Sequence, residues 1–155
     1  MAPIYSIITG GAIALTAATA KSILGVKAHA NSGIQVVSFK FAFDGVTASA
    51  VPALVELCYS TWATNSPGTA STSVTPAQKN GRVLTAGFTA GKTWTTEPTA
   101  LTVLDEWLLT PNGGGAWLDV PLGNECDSAL AEGFVLRITA PAAVNVRASM
   151  DVTRI

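Results

Sequence analysis

The chain has 155 residues, the size of one domain, and a compact fold of that length buries roughly 68–70% of its unfolded surface without needing disulfide or metal staples. Hydrophobic residues make up 48% and charged residues 12%, against about 25% charged in ordinary soluble domains. Net charge is −1, and Lys and Arg are scattered singly from Lys21 to Arg154. There is no basic stripe for nucleic acid, no acidic run, and no stretch of the ~18–20 apolar residues that cross a bilayer.

The first stretch, "MAPIYSIITGGAIALTAATAKS", has the length of a signal peptide. It lacks a positively charged start, however, and Tyr5, Thr9 and the Gly10-Gly11 pair interrupt its apolar run, so it reads as mature protein. Residues 1–10 admit two readings: an arm that adds to a neighbour's sheet, or a first strand in the chain's own sheet. The arm would place Ile4, Tyr5 and Ile7 at a protein interface. "GAIALTA" and "KSILGVKAHA" read as two early strands. The single histidine, His29, follows beside Asn31-Ser32-Gly33 and reads as a solvated turn residue. A Ser-His-Asp triad would need it aligned with a nucleophile, and no GxSxG elbow is present.

In "GIQVVSFKFAFDG" the period is two. Gln35, Val37, Phe39, Phe41 and Phe43 share one face, Val36, Ser38, Lys40 and Ala42 the other, and Asp44-Gly45 is a closing turn signal. "PALVELCYSTW" repeats the pattern, with Ala53, Val55, Leu57 and Tyr59 against Leu54, Glu56, Cys58 and Ser60. Cys58, in this apolar run, reads as a small buried hydrophobe. With Cys126 it forms no metal spacing and no disulfide framework, and the sequence permits a Cys58–Cys126 bridge without requiring one.

Residues 65–98 are rich in Thr, Ser, Pro, Ala and Gly, with isolated Val74, Val83, Leu84, Phe88 and Trp94. The expectation is one short strand and a long excursion over the surface or onto a neighbour, with Trp94 as an interface residue. Gly91-Lys92-Thr93 resembles the end of a phosphate-binding loop. The first glycine of that motif would fall at Ala86, and Pro98 follows where a helix is required, so the segment reads as a turn between short strands.

"ALTVLDEWLLT" fits helical spacing through Leu101, Leu104, Asp105 and Leu108. Pro111-Asn112-Gly113 and the return strand "AWLDVPL" favour a hairpin instead, and we read it as a strand. Asp105 and Glu106 then point to opposite faces and cannot act as a pair. Glu125 and Asp127 flank Cys126, too few oxygen ligands for a calcium loop. Trp62, Trp94, Trp107 and Trp117 could form a sugar platform, but in a small sandwich such residues are more often core or interface anchors. Near the end, "GFVLRIT" turns Phe134, Leu136 and Ile138 inward and Arg137 outward. "AVNVRASMDVT" turns Val144, Val146, Ala148, Met150 and Val152 inward, with Asn145, Arg147, Ser149 and Asp151 outward.

The result is a single all-β domain over 1–155, with about eight strands and no helix. A jelly-roll-like β-sandwich is the first choice and an immunoglobulin-like sandwich the second, weakened by the lack of a Cys…Trp…Cys pattern. No catalytic, cofactor-binding or metal-binding set emerges, so a non-enzymatic protein is expected. A Thr/Ser-rich surface with little charge suits a subunit covered by partners; a neutral β-domain from an extracellular or halotolerant setting is the alternative.

Four stretches together, "ALTAATAKSILGVKA", "FAFDGVTASAVPALVELCYST", "EPTALTVLDEWLLTPNGGGAWLDVPLG" and "ITAPAAVNVRASMDV", resemble small structural proteins of tailed bacteriophages, especially those of actinobacterial hosts. They cover roughly half to two-thirds of a single-domain chain. The resemblance implies a virion protein on the capsid surface, made in the bacterial host cytoplasm. It implies a capsid decoration or minor head protein acting as a homotrimer of β-sandwiches on the major capsid protein, with no nucleic acid, membrane or cofactor. Repeated symmetric sites favour symmetric oligomers. The alternative is a tail or fibre component that binds the host surface through carbohydrate. The shared stretches are not catalytic and carry over no functional residues. Residues 65–96 share least, which leaves partner choice open.

Overall fold

A computed structural model describes residues 2–44, 51–112 and 114–155. Among these it contains thirteen β-strands and no helix: β1 (Ile4–Ile8), β2 (Ile13–Leu15), β3 (Ala20–Lys27), β4 (Ile34–Asp44), β5 (Ala53–Ser60), β6 (Thr72–Val74), β7 (Ala77–Asn80), β8 (Thr89–Lys92), β9 (Leu101–Leu109), β10 (Gly115–Asp119), β11 (Cys126–Asp127), β12 (Gly133–Thr139) and β13 (Val144–Arg154). Eight of them have five or more residues, and the others are short pieces at the margins. The strands form two sheets, both antiparallel throughout. The front sheet runs β10-β4-β13-β1-β7, with β11 also on β4 and β2 also on β13; the back sheet runs β6-β8-β3-β12-β5-β9. Packed face to face they make a β-sandwich, as the alternating pattern demands.

The core lies between the sheets, and the cleanest alternation in the sequence builds its floor. Val144, Val146, Ala148, Met150 and Val152 of β13 are all buried, while Asn145 and Arg147 are exposed. Across the gap, Phe134, Leu136 and Ile138 of β12 and Ala53, Val55 and Leu57 of β5 are buried too. Phe39 and Phe41 of β4 meet the Trp107 ring of β9 at 5.5 and 5.9 Å between centroids, which ties the two sheets together at one side.

A second, smaller cluster sits on the outer face of the back sheet. Cys58 and Val135 point outward there and are fully buried under Trp62 and Trp94, which stack at 5.8 Å with an interplanar angle of 18°. Both indoles are hydrogen-bonded, Trp62 Nε1 donating to the Val26 carbonyl and Trp94 Nε1 to the Asn65 carbonyl. The stack lies over Gly25. A Cβ there would stand 2.8 Å from Cη2 of Trp94 and 3.1 Å from Cη2 of Trp62.

Three sequence expectations change. First, β4 carries a bulge: Ser38 pairs with Asp151 but Val36 with Val152, so Val37 is an extra residue. Beyond it the alternation changes phase. Ile34 and Val36 are buried with Phe39, Phe41 and Phe43, and Gln35 and Val37 leave the inward set. Second, β9 and β10 do not form a hairpin. β9 pairs with β5 in the back sheet and β10 with β4 in the front sheet, so the connection crosses between sheets. Third, residues 65–98 hold three short strands rather than one. β6 and β8 extend the back sheet and β7 extends the front sheet, so the excursion supplies the end strands on one side of the sandwich. The Asp44-Gly45 and Pro111-Asn112-Gly113 turn signals run into residues 45 and 113, outside the described residues.

Gly25→Val should destabilise the fold by about 1–3 kcal/mol, because two packed indoles and the Phe134 carbonyl leave no room for a side chain. Urea unfolding followed by tryptophan fluorescence measures this. An unchanged midpoint would mean that the stack is not held against β3.

Candidate interaction surfaces

The residues expected at an interface occupy other places. β1 is paired on both edges, with β13 and with β7, so the N-terminal segment is a strand of the chain's own sheet and not a free arm. Its alternation turns Tyr5 and Ile7 into the core at 2% and 0% exposure, and leaves Ile4 half-buried. Tyr5 packs edge-on against Phe88, and its hydroxyl donates to the Leu84 carbonyl. Trp94 is buried against Trp62. A lone tryptophan in a polar segment looked like a surface anchor, but the segment folds back and closes over its own sheet.

The groups with chemical potential are held by ordinary structural bonds. His29 is exposed in its turn, where its Nδ1 accepts from the Asn31 amide. Gly91 and Lys92 lie in β8 with no helix after them, and Lys92 Nζ donates to the Thr9 carbonyl. Glu125 accepts from the Gly123 amide in its own loop. No group of three or more metal-ligating side chains occurs among the described residues. Cys58 and Cys126 are both free thiols, on different sheets.

One polar layer is built into the covered outer face of the back sheet. Arg137 Nε donates to Glu56 Oε2 at 2.8 Å across the β12–β5 pair. Beside it Glu97 receives the Ser22 amide at 2.9 and 3.0 Å, together with the Ser22 hydroxyl. Asn65 donates to the Glu97 carbonyl, so the same loops that carry the tryptophans also satisfy these groups. Burial pushes the Cys58 thiol up to about 11, with Arg137 opposing and Glu56 and Glu97 adding to the rise. A thiol held protonated this way is inert.

Two of the open surfaces carry exposed Leu108 and exposed Trp117. The first is the side of the sandwich where β9 and β10 end their sheets. Among the described residues β9 pairs only with β5 and β10 only with β4, so each presents an edge with no further partner there. Leu108 is 65% exposed, Leu118 37% and Leu122 97%. Between the two edges runs a cleft of about 470 Å³ lined by Leu57, Leu104, Trp107, Leu118, Val120 and Cys126. Trp107 Nε1 is buried here without a hydrogen-bond partner among the described residues.

The second is a groove of about 570 Å³ on the outer face of the front sheet. Pairing register lines up Ile8, Ser149, Lys40 and Trp117 across four strands, and places Arg147, Ala42 and Gly115 in the next row. Small residues form the floor, with Trp117 and Ile8 as the walls. Trp117 is 67% exposed, yet its indole is pinned: Nε1 donates to Asp119 Oδ1 at 3.0 Å, and Lys40 Nζ stands 4.7 Å from the ring centroid. The four tryptophans are equal in the sequence, and only the register of β10 on β4 separates Trp117 as the exposed one.

Comparison of the chain with known protein families, characterised proteins and solved structures finds no match.

The Cys58 thiol makes stability pH-dependent in a definite direction. Its folded pKa lies above the unfolded value, so the stabilisation is complete below pH 9.0 and is lost as pH rises toward about 11. In that window the unfolded chain releases a proton that the folded chain keeps. Cys126 is raised by its own desolvation, with Asp105 and Asp127 adding to it, and Tyr59 is raised by desolvation and its bond to Glu132; both act in the same direction. Unfolding free energy should therefore fall between pH 9 and 10.5, by at most about 1.4 kcal/mol per pH unit for each thiol. Cys58→Ala should flatten the slope. An unchanged slope in that variant would refute the assignment, whatever its absolute stability.

Proposed function

We propose that this chain is a non-enzymatic structural subunit of a tailed-phage virion, a decoration or cementing protein bound to the major capsid protein on the head surface. In this reading it acts as a homo-oligomer, a trimer, after synthesis in the host cytoplasm. The observation that carries the proposal is the open side of the sandwich. Two strand edges unpaired among the described residues, with exposed Leu108, Leu118 and Leu122 on a chain with 12% charged residues, call for a partner to cover them. The resemblance of four sequence stretches to phage structural proteins supplies the kind of assembly. A jelly-roll form of the sandwich belongs to the same reading, supported by connections that change sheets between β4 and β5 and between β9 and β10. A non-enzymatic role is supported by the surface turn that holds His29 and by the burial that keeps Cys58 protonated.

A tail or fibre component that binds host carbohydrate is the second reading, and the Trp117 groove favours it. An exposed indole fixed by Asp119 and flanked by Lys40 and Arg147 offers a stacking platform with polar groups beside it.

The two separate in one experiment. Purified protein is mixed with heads of the encoding phage that lack it, and the particles are imaged by electron microscopy. Saturable density at symmetric lattice positions, with genome release moved to higher temperature, is the expected outcome. Binding to host cell-wall saccharide and not to heads, lost about tenfold or more in Trp117→Ala, would replace the first reading by the second.

A further inference from the structure

Charge is partitioned along this chain in a way that net charge hides. No acidic residue lies between Glu56 and Glu97, a segment that holds Lys79, Arg82 and Lys92. No basic residue lies between Lys92 and Arg137, a segment that holds seven of the ten acidic residues. The fold sends these two segments to opposite sides of the sandwich. β9 and β10, from the acidic segment, end the two sheets on one side; β6 and β7, from the basic segment, end them on the other.

On the acidic side Asp105 and Glu106 of β9, Asp119 of β10 and Asp127 of β11 are all exposed. Glu97 and Glu132 are turned inward onto Ser22 and Tyr59. The cations lie further in: Lys40 is laid over Trp117, Arg147 stands one strand beyond it, and Arg137, two strands from β9, is bonded to Glu56. On the basic side Lys79 is bridged to Asp151 at 2.6 Å. Arg82, in the exposed loop after β7, and Arg154, whose Nη1 reaches Gly87, have no ion-pair partner among the described residues. Each side also carries apolar residues: Leu108, Leu118 and Leu122 on one, Val83 at 91% and Leu84 at 48% exposure on the other.

We infer that copies of this chain associate head to tail, the β9–β10 side of one copy seated on the β6–β7 side of the next. The inference rests on the reading of the chain as an assembly subunit and specifies how its copies meet. Self-pairing of either side is opposed by its charge. Two β9 edges brought together would set Asp105 and Glu106 against like charges, and two β6–β7 sides would bring together Arg82 and Arg154, neither with an ion-pair partner among the described residues. Opposite sides attract and cover each other's leucines and valine. β9 has nine residues and carries neither Lys nor Pro, the usual guards of a free edge. Its two carboxylates refuse a like edge and admit a basic one. A contact of this heterologous kind closes into a ring when its rotation allows, and otherwise extends into a filament.

The test uses the full chain and two charge reversals, D105K/E106K on the acidic side and R82E/R154E on the basic side, which leaves the Lys79–Asp151 bridge intact. Each variant is first shown to keep the native urea midpoint. Mass is then measured by sedimentation at low and high salt. The native chain should oligomerise at low salt and weaken as salt rises. Each variant alone should lose association by about tenfold or more, and an equimolar mixture of the two should regain it. Undiminished self-association of R82E/R154E, whose acidic side is unchanged, would show self-paired acidic edges and overturn the inference. So would a native chain that stays monomeric at every concentration, and if that monomer still bound phage heads the capsid reading would stand without it.

Discussion

The central antiparallel pairing of β13 is the constraint on which the rest of the structure depends. This strand lies between β4 and β1 and also holds β2, so four of the seven front-sheet strands meet along one line. Its partners come from far earlier in the chain, Ile4 opposite Thr153 and Phe39 opposite Met150. Such pairings are closed only after a long loop has been restrained, which makes the fold slow to nucleate and costly to break at its centre. The same arrangement fixes both ends of β1. With β13 on one edge and β7 on the other, β1 turns Tyr5 and Ile7 into the core and leaves Ile8 on the outer face.

The back sheet solves a different problem. Its central strands β3, β12 and β5 are apolar on the core face, but Cys58 and Val135 on the other face would meet water if left bare. The loops around Trp62 and Trp94 lie over that face, and Gly25 lets the indoles descend to the strand. Arg137, Glu56, Ser22 and Glu97 are then satisfied under the same cover. One outer face is therefore sealed within the chain. The outer face of the front sheet and the two lateral sides are left, and these are where exposed Trp117, Leu122 and Val83 are found.

Much of this was legible where one local rule acts alone. β12 and β13 follow uninterrupted alternation, and each inward residue read from the sequence is buried. β9 was read as a strand despite its helical spacing because turn chemistry follows it. Its partner was not legible, since pairing is settled by the whole sheet and the nearest neighbour in sequence went to the other layer. The phase error in β4 comes from one inserted residue, Val37, which no periodicity argument can locate. β6, β7 and β8, at three or four residues, are too short to show a period. Polar neighbours give Trp94 the look of an exposed residue, and the return of its segment over the back sheet has no local signal.

The open side was hidden for a related reason. No stretch of the sequence is an acidic run or a basic stripe, so a local scan sees a neutral chain. What matters is that carboxylates far apart in sequence, Asp105 on β9, Asp119 on β10 and Asp127 on β11, end on one side because three different pairings bring them there. A low total charge then makes each remaining charge more decisive. In a densely charged surface a handful of carboxylates would be neutralised by neighbours. Here both sides carry exposed apolar residues, and the sign of a few exposed groups is what sets which side can approach which.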